Sequence, residues 1–331
     1  MGNKRELYLH IGVHRTATTA IQAIMKKNWT LLRDAGILYP LGVQRHIGVF
    51  NNIFSGRTTA RKVALDLVKR ADSQTVPIHA LVMSDEAVST RQDLSPLAGF
   101  AEHFHVKVIF AMRRQDLWLE SWWAQNVKGQ WDPKFCHMSW PDFLARRKDF
   151  HWIDYAGYIA RIEEVFGAGS VVPYVFERRQ MPDGPIAAFC RQFGFDGWNA
   201  LEPAGGENIS LCPDMSEFVR HLPFIDAPMG LRLKLIEFAE AVNKDIRRGQ
   251  TSNLLIPHDL RADIMAEYGP GNQAIARRFF GRDDLFLDPL PATSEAVAVP
   301  SLPADPAVLM EKMVAPYMRE LVRHFAQPKD K

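Results

Sequence analysis

The 331 residues are 47% hydrophobic and 24% charged, which suits one large core or two smaller ones and excludes a disordered chain. A formal charge of +2 with scattered basic residues gives no broad nucleic-acid or membrane footprint, while leaving room for a local anionic site. No apolar run could cross a bilayer, residues 1–5 lead into a strand where a signal peptide would need an apolar stretch, and Cys136, Cys190 and Cys212 lack metal-ligand spacing, so a cytoplasmic location with reduced thiols is expected.

Leu7, Leu9 and Ile11 alternate with Tyr8 and His10, the period of a short strand, and Gly12 permits a turn after it. The period then changes. Ile21, Ile24, Met25, Asn28, Leu31 and Leu32 fall on one face of a helix that Gly36 would end. Between the two lies His14-Arg15-Thr16-Ala17-Thr18-Thr19. A helix N-terminus offers unpaired N–H groups and a positive dipole end to phosphate or sulfate. Arg15 would add charge, and Thr18 and Thr19 hydroxyl donors. The same threonines also fit plain helix capping. The loop is not a Walker A element, because Gly-Lys would have to stand where Ala17 and Thr18 are. The second and third glycines of a dinucleotide fingerprint are missing as well.

Tyr39-Pro40-Leu41-Gly42 breaks regular structure, and the loop after it carries His46. Residues 60–71 read as a basic amphipathic helix. Residues 79–84 are nearly all apolar, as in a strand covered on both faces, and end in Ser84-Asp85-Glu86 at the sheet edge where parallel strands carry chemistry. These acids fit helix capping or a catalytic role, and they also resemble a Walker B ending, which keeps a metal-dependent kinase or NTPase in view. Residues 106–112 form the third expected strand, followed by Arg113 and a helix that Asp116 can cap. Six of the eight tryptophans lie between Trp118 and Trp152; they could line an acceptor groove by stacking on sugar or aromatic faces, but their helical spacing assigns most of them to core. Residues 155–166 read as a helix closed by Gly167. Residues 171–176 read as a strand that Pro173 marks as an edge or bulged, and 186–193 as a helix closed by Gly194. From Met215 the chain is helical, with breaks expected at Pro223, Pro257 and Pro270-Gly271. A linker at 288–306 precedes a last helix at 307–325.

Taken in this order the motifs resemble those of the bacterial sulfotransferases. The Lys-Thr/Ser-Gly-Thr-Thr core of their 5′-phosphosulfate loop reads here Arg15-Thr16-Ala17-Thr18-Thr19. Arginine brings a planar fork in place of a point charge, and alanine fits the glycine position only at negative φ. Arg113 and Ser121 match the family's arginine and serine, eight residues apart, that hold the 3′-phosphate. Gln125, Lys128 and Gly129 match a Gln-x-Val-Lys-x-Gly segment, in which Lys128 either meets an anionic acceptor or is simply exposed. Asn208 and Ser210 match an Asn-x-Ser element that closes over the nucleotide, His46 a histidine after a Tyr-Pro pair, and residues 272–281 a late segment of structural role.

The resemblance runs from Leu7 to about Phe286. It implies a P-loop NTPase-like three-layer α/β fold with a central parallel sheet. Residues 1–210 would be the core and 211–331 a helical C-terminal extension packed on it. It further implies transfer of a sulfuryl group from 3′-phosphoadenosine 5′-phosphosulfate to a hydroxyl or amine of a small-molecule or glycan acceptor, leaving 3′-phosphoadenosine 5′-phosphate and requiring no metal. His14, Arg15, Thr16, Ala17, Thr18, Thr19, Arg113, Ser121, Asn208 and Ser210 would hold the nucleotide, and Gln125 and Lys128 would face the acceptor. Glu86 is the first choice of base, His46 the second, with His14 and His10 behind them. A P-loop-like kinase or NTPase, and a non-catalytic nucleotide-binding protein of the same fold, are the alternatives. Acceptor identity and oligomeric state are left open.

Overall fold

In the computed structural model, which describes residues 4–205, 209–249 and 252–326, the strand predicted first is the centre of the sheet. The described residues hold a five-stranded parallel sheet of β1 (Arg5–His10), β2 (Ile37–Leu38), β3 (Ala80–Ser84), β4 (Phe104–Met112) and β5 (Val171–Val175). Their order is β2-β3-β1-β4-β5, and every pairing is parallel. This is the P-loop-like α/β arrangement. Pro173 lies on the edge strand β5, where its missing N–H costs no inner ladder bond. β2 has only two residues, too few for any periodic pattern, and was not anticipated. It is set by Gly36, whose φ of +81° turns the chain and whose carbonyl accepts from the His79 and Ala80 amides.

Contacts divide the chain into two units, neither continuous in sequence. One comprises residues 1–115, 150–206 and 266–289, and the other residues 116–149, 207–265 and 290–331. Residues 116–149, which the sequence reading places in the core, thus belong to the second unit, and residues 266–289 to the first.

In the first unit, helix α1 (Thr18–Lys27) follows β1, and a separate short helix, Trp29–Asp34, follows at Asn28 instead of the single helix expected. Ile21 and Met25 of α1 pack with Val82, Ile109, Tyr174 and Phe189 into a core on one face of the sheet. The other face carries Phe110, which stacks on Tyr158 and meets Tyr155 edge-on, both from the helix Tyr155–Phe166. The Ala60–Asp72 helix is capped by Thr59, whose hydroxyl accepts from the Lys62 amide. It buries Ala60, Ala64, Leu67 and Ala71, so its basic residues form a solvated face.

The second unit is built of helices around aromatic residues. Trp118 and Trp123 are buried on the helix Gln115–Gly129, Trp140 contacts Trp123 edge-on, and Trp131 is exposed. Tyr317 of the helix Ala315–Ala326 meets Phe218, Phe224 and Phe238. Arg261 is fully buried and pairs with Asp116 and Glu120, one helical turn apart. Asp116, expected as a helix cap, stands in the first turn of the helix Gln115–Gly129 and is an ion-pair partner. Glu120 also accepts from the Leu255 and Ile256 amides, and burial is the main cause raising its carboxyl above the usual range.

The break expected at Pro270-Gly271 is absent. The helix His258–Ile275 contains Pro270, and two residues later Asn272 exchanges reciprocal amide hydrogen bonds with Gln115. A π-helical stretch, Ala276–Phe280, ends it, with Gly281 left-handed beyond.

Candidate active site

The carboxyl edge of β3, β1 and β4 collects the candidate residues of the first unit. β1 ends at His10, and the loop to α1 starts at Ile11 and Gly12. A Cβ on Gly12 would lie 3.0 Å from Ala111 Cβ and 3.0 Å from His10 Nε2, so a larger residue there would push its neighbours by a few tenths of an ångström and glycine suits the close packing of the loop on β4.

The loop backbone is left-handed at two places, Arg15 (φ +71°) and Ala17 (φ +60°), with Thr16 between them at negative φ. The expectation of negative φ at residue 17 is thus overturned. Alternation of this kind turns successive N–H groups to one side and makes an anion-binding nest, here running into the N-terminus of α1. The loop needs the left-handed conformation whether or not glycine stands there.

Thr16 is buried, and its hydroxyl donates to the Val13 carbonyl at 2.7 Å, tying the loop to itself. Thr18 is buried in the first turn and Thr19 is exposed. Arg113, just beyond the carboxyl end of β4, donates from Nη1 to the Arg15 carbonyl at 2.9 Å. Its own backbone is held by Tyr155, whose hydroxyl accepts from the Arg113 N–H and donates to the Arg113 carbonyl. Two guanidinium groups are thereby brought together: burial first, and then the charge of Arg113, push Arg15 down to about 10.

The acids after β3 sit against this loop. Asp85 caps the 3-10 turn Glu86–Thr90 through the Ala87 amide and binds Arg45 Nε at 2.7 Å. Burial raises its carboxyl, and Arg45 opposes the rise. Glu86 is buried. Its Oε2 accepts from Gln22 Nε2 at 2.6 Å, while its Oε1 lies 3.4 Å from Arg45 Nη1 and 3.9 Å from His14 Nδ1. His14 is pushed down to about 3 by burial, with Arg45 and Arg15 adding to it, so it is neutral at pH 7. Burial alone also takes His10 down to about 3, and its Nδ1 meets Ser84 Oγ at 2.8 Å.

His46 does not occupy a base's position. Its Nδ1 accepts from the Ser84 N–H at 3.0 Å and its Nε2 bonds the Pro40 carbonyl at 3.0 Å, so both ring nitrogens are engaged by backbone. With its own N–H on the Ser84 carbonyl, it clamps the end of β3.

The remaining sequence candidates belong to the second unit. Ser121 and Gln125 are half-buried on the Gln115–Gly129 helix. Lys128 is not exposed: it is buried, with Nζ 2.8 Å from both Glu240 Oε1 and the Ile209 carbonyl. The Ser210 carbonyl accepts from Asn243 at 3.3 Å. Asn208 lies outside the described residues.

Gln22 and Arg45 were missed by the sequence reading. Gln22 had a signal, being a polar residue in the buried stripe with Thr18, Ile21 and Met25. Arg45 had none, since only the fold brings its loop to Asp85.

No protein-family model matches the chain. It is similar to an uncharacterized protein of Archaeoglobus fulgidus, 22% identical over 215 residues, a match covering 62% of this chain and 55% of that protein. Among solved structures it is similar to a sulfotransferase from Alicyclobacillus acidocaldarius, at 14% identity and a TM-score of 0.44 over 85% of this chain and 98% of the other. A likeness of that degree bears on neither activity nor ligands.

Proposed function

We propose that the chain is a sulfotransferase that takes its sulfuryl group from 3′-phosphoadenosine 5′-phosphosulfate. The observation that carries this reading is the junction of Arg113 with Arg15 over a left-handed loop at a helix N-terminus, with a buried carboxylate beside it. Such a site favours a multiply charged anion through N–H donors, dipole and two cations at once.

The 5′-phosphosulfate lies on the loop amides and Arg15. The acceptor's hydroxyl oxygen attacks sulfur in line with the bridging oxygen. As the new S–O bond forms, the old one breaks, its electron pair leaves on the 5′-phosphate and the acceptor proton passes to Glu86. Fixed cations and N–H groups stabilise charge that spreads over the sulfuryl oxygens and the leaving phosphate. Arg113 serves the 3′-phosphate. Ser121, Ser210 and Asn208 are assigned to the nucleotide by the sequence resemblance alone, and the acceptor is a small molecule or glycan on the same ground.

The test is release of 3′-phosphoadenosine 5′-phosphate from the sulfated nucleotide, with water or an added acceptor receiving the group. Glu86→Gln should keep affinity for the bisphosphate and lose at least ~100-fold in turnover, the contribution of a general base. Turnover unchanged in Glu86→Gln would take the base role from Glu86.

A further inference from the structure

Gln22 stands one turn into α1 and is buried. A carboxylate only accepts hydrogen bonds, so the Gln22 atom 2.6 Å from Glu86 Oε2 is the amide nitrogen. The same nitrogen reaches Ser84 Oγ at 3.1 Å, which assigns both of its hydrogens. Ser84 in turn meets His10, its register partner on β1. The carboxylate is thus moored through one amide to two adjacent strands, and every member of the chain is buried. The contacts of the other carboxylate oxygen, at 3.4 and 3.9 Å, are longer.

We propose that Gln22 is a positioning residue for the base: by holding Oε2 of Glu86 it makes Oε1 the oxygen that takes the acceptor's proton. The inference rests on the sulfuryl-transfer reading above. The terminal torsion of a glutamate is broad and soft, so without a partner the carboxylate would turn and exchange its two oxygens. A hydrogen bond from a buried amide removes that freedom, and reactions of this kind are sensitive to small displacements of the reacting groups.

The probe reaction is sulfate release from 3′-phosphoadenosine 5′-phosphosulfate with water as acceptor. Gln22→Met keeps chain length and removes the amide. Its kcat should fall on the order of 100-fold, the scale of a misplaced catalytic group, while KM and the affinity for the bisphosphate stay unchanged. In a Glu86→Gln background the same substitution should cause no further loss. Ser84→Ala removes one anchor of Gln22 and should show a smaller loss with the same pattern, and it decides the matter if Gln22→Met does not fold. An unchanged kcat, an equal loss in both backgrounds, or a loss of bisphosphate affinity would overturn the inference. Wild-type protein that neither binds the bisphosphate nor releases sulfate overturns the transfer reading and this inference with it. Normal wild-type behaviour with Gln22→Met unaffected overturns this inference alone.

Discussion

Ala17 is the residue at which the loop meets backbone physics most directly. With φ +60° and ψ 19° it holds a left-handed conformation that costs an L-residue roughly 1–2 kcal/mol, against roughly 0.5–1 kcal/mol for the extra freedom glycine loses on folding. Ala17→Gly should therefore stabilise the protein by about 0.5–1 kcal/mol, visible as a higher melting temperature. A lower one would mean that the Ala17 methyl makes contacts worth more than the strain. Residue types at the site were legible where local pattern governs them, as for Arg15 before a helix start and Glu86 after an apolar strand. What was not legible was direction. His46, a loop histidine that the resemblance made second choice of base, has both its nitrogens on the Ser84 and Pro40 backbone, and Lys128, expected either at an acceptor or exposed, is buried on Glu240, 112 residues away.

At the scale of elements, strands were read from two patterns: alternation in β1 and a nearly all-apolar run in β3, with the largely apolar end of β4 beside it. Both depend on which faces of the sheet are covered, and both survive without tertiary knowledge. Two-residue β2 and the continuation of the His258–Ile275 helix through Pro270 depend on partners, respectively β3 and the Gln115 amide, that no local window contains. The helix Gln115–Gly129 is likewise fixed by a distant partner, since Asp116 and Glu120 are buried one turn apart and Arg261 pairs with both. Removing one side of such a pair leaves charge in a dry interior, so Arg261→Met should destabilise the second unit by about 3–5 kcal/mol in denaturant unfolding. The sign of its pH dependence follows. Burial already raises Glu120, and loss of Arg261 would raise it further, so the carboxyl is neutral in the folded variant over a range where it ionises in the unfolded chain. The deficit should be smallest in acid and grow as pH rises through the carboxylate range. A deficit independent of pH would show that the pair contributes packing only.

For the whole molecule, the parallel order β2-β3-β1-β4-β5 explains why sequence-distant residues share one edge: β1 lies between β3 and β4, so the loop after β1 is flanked by Glu86 and Arg113. The division into two discontinuous units was not readable, because the boundaries after residues 115 and 265 fall inside the helices Gln115–Gly129 and His258–Ile275, where no linker pattern marks them. The proposed sulfuryl transfer requires that the loop and Arg113 form an anion site for a bisphosphorylated adenosine. Calorimetric titration of the protein with 3′-phosphoadenosine 5′-phosphate, beside ATP with magnesium and repeated on Arg113→Ala, tests it most directly. Tight binding of the bisphosphate, weak binding of ATP and loss of the former in Arg113→Ala are predicted. Preference for ATP with magnesium, or bisphosphate binding indifferent to Arg113, would contradict it.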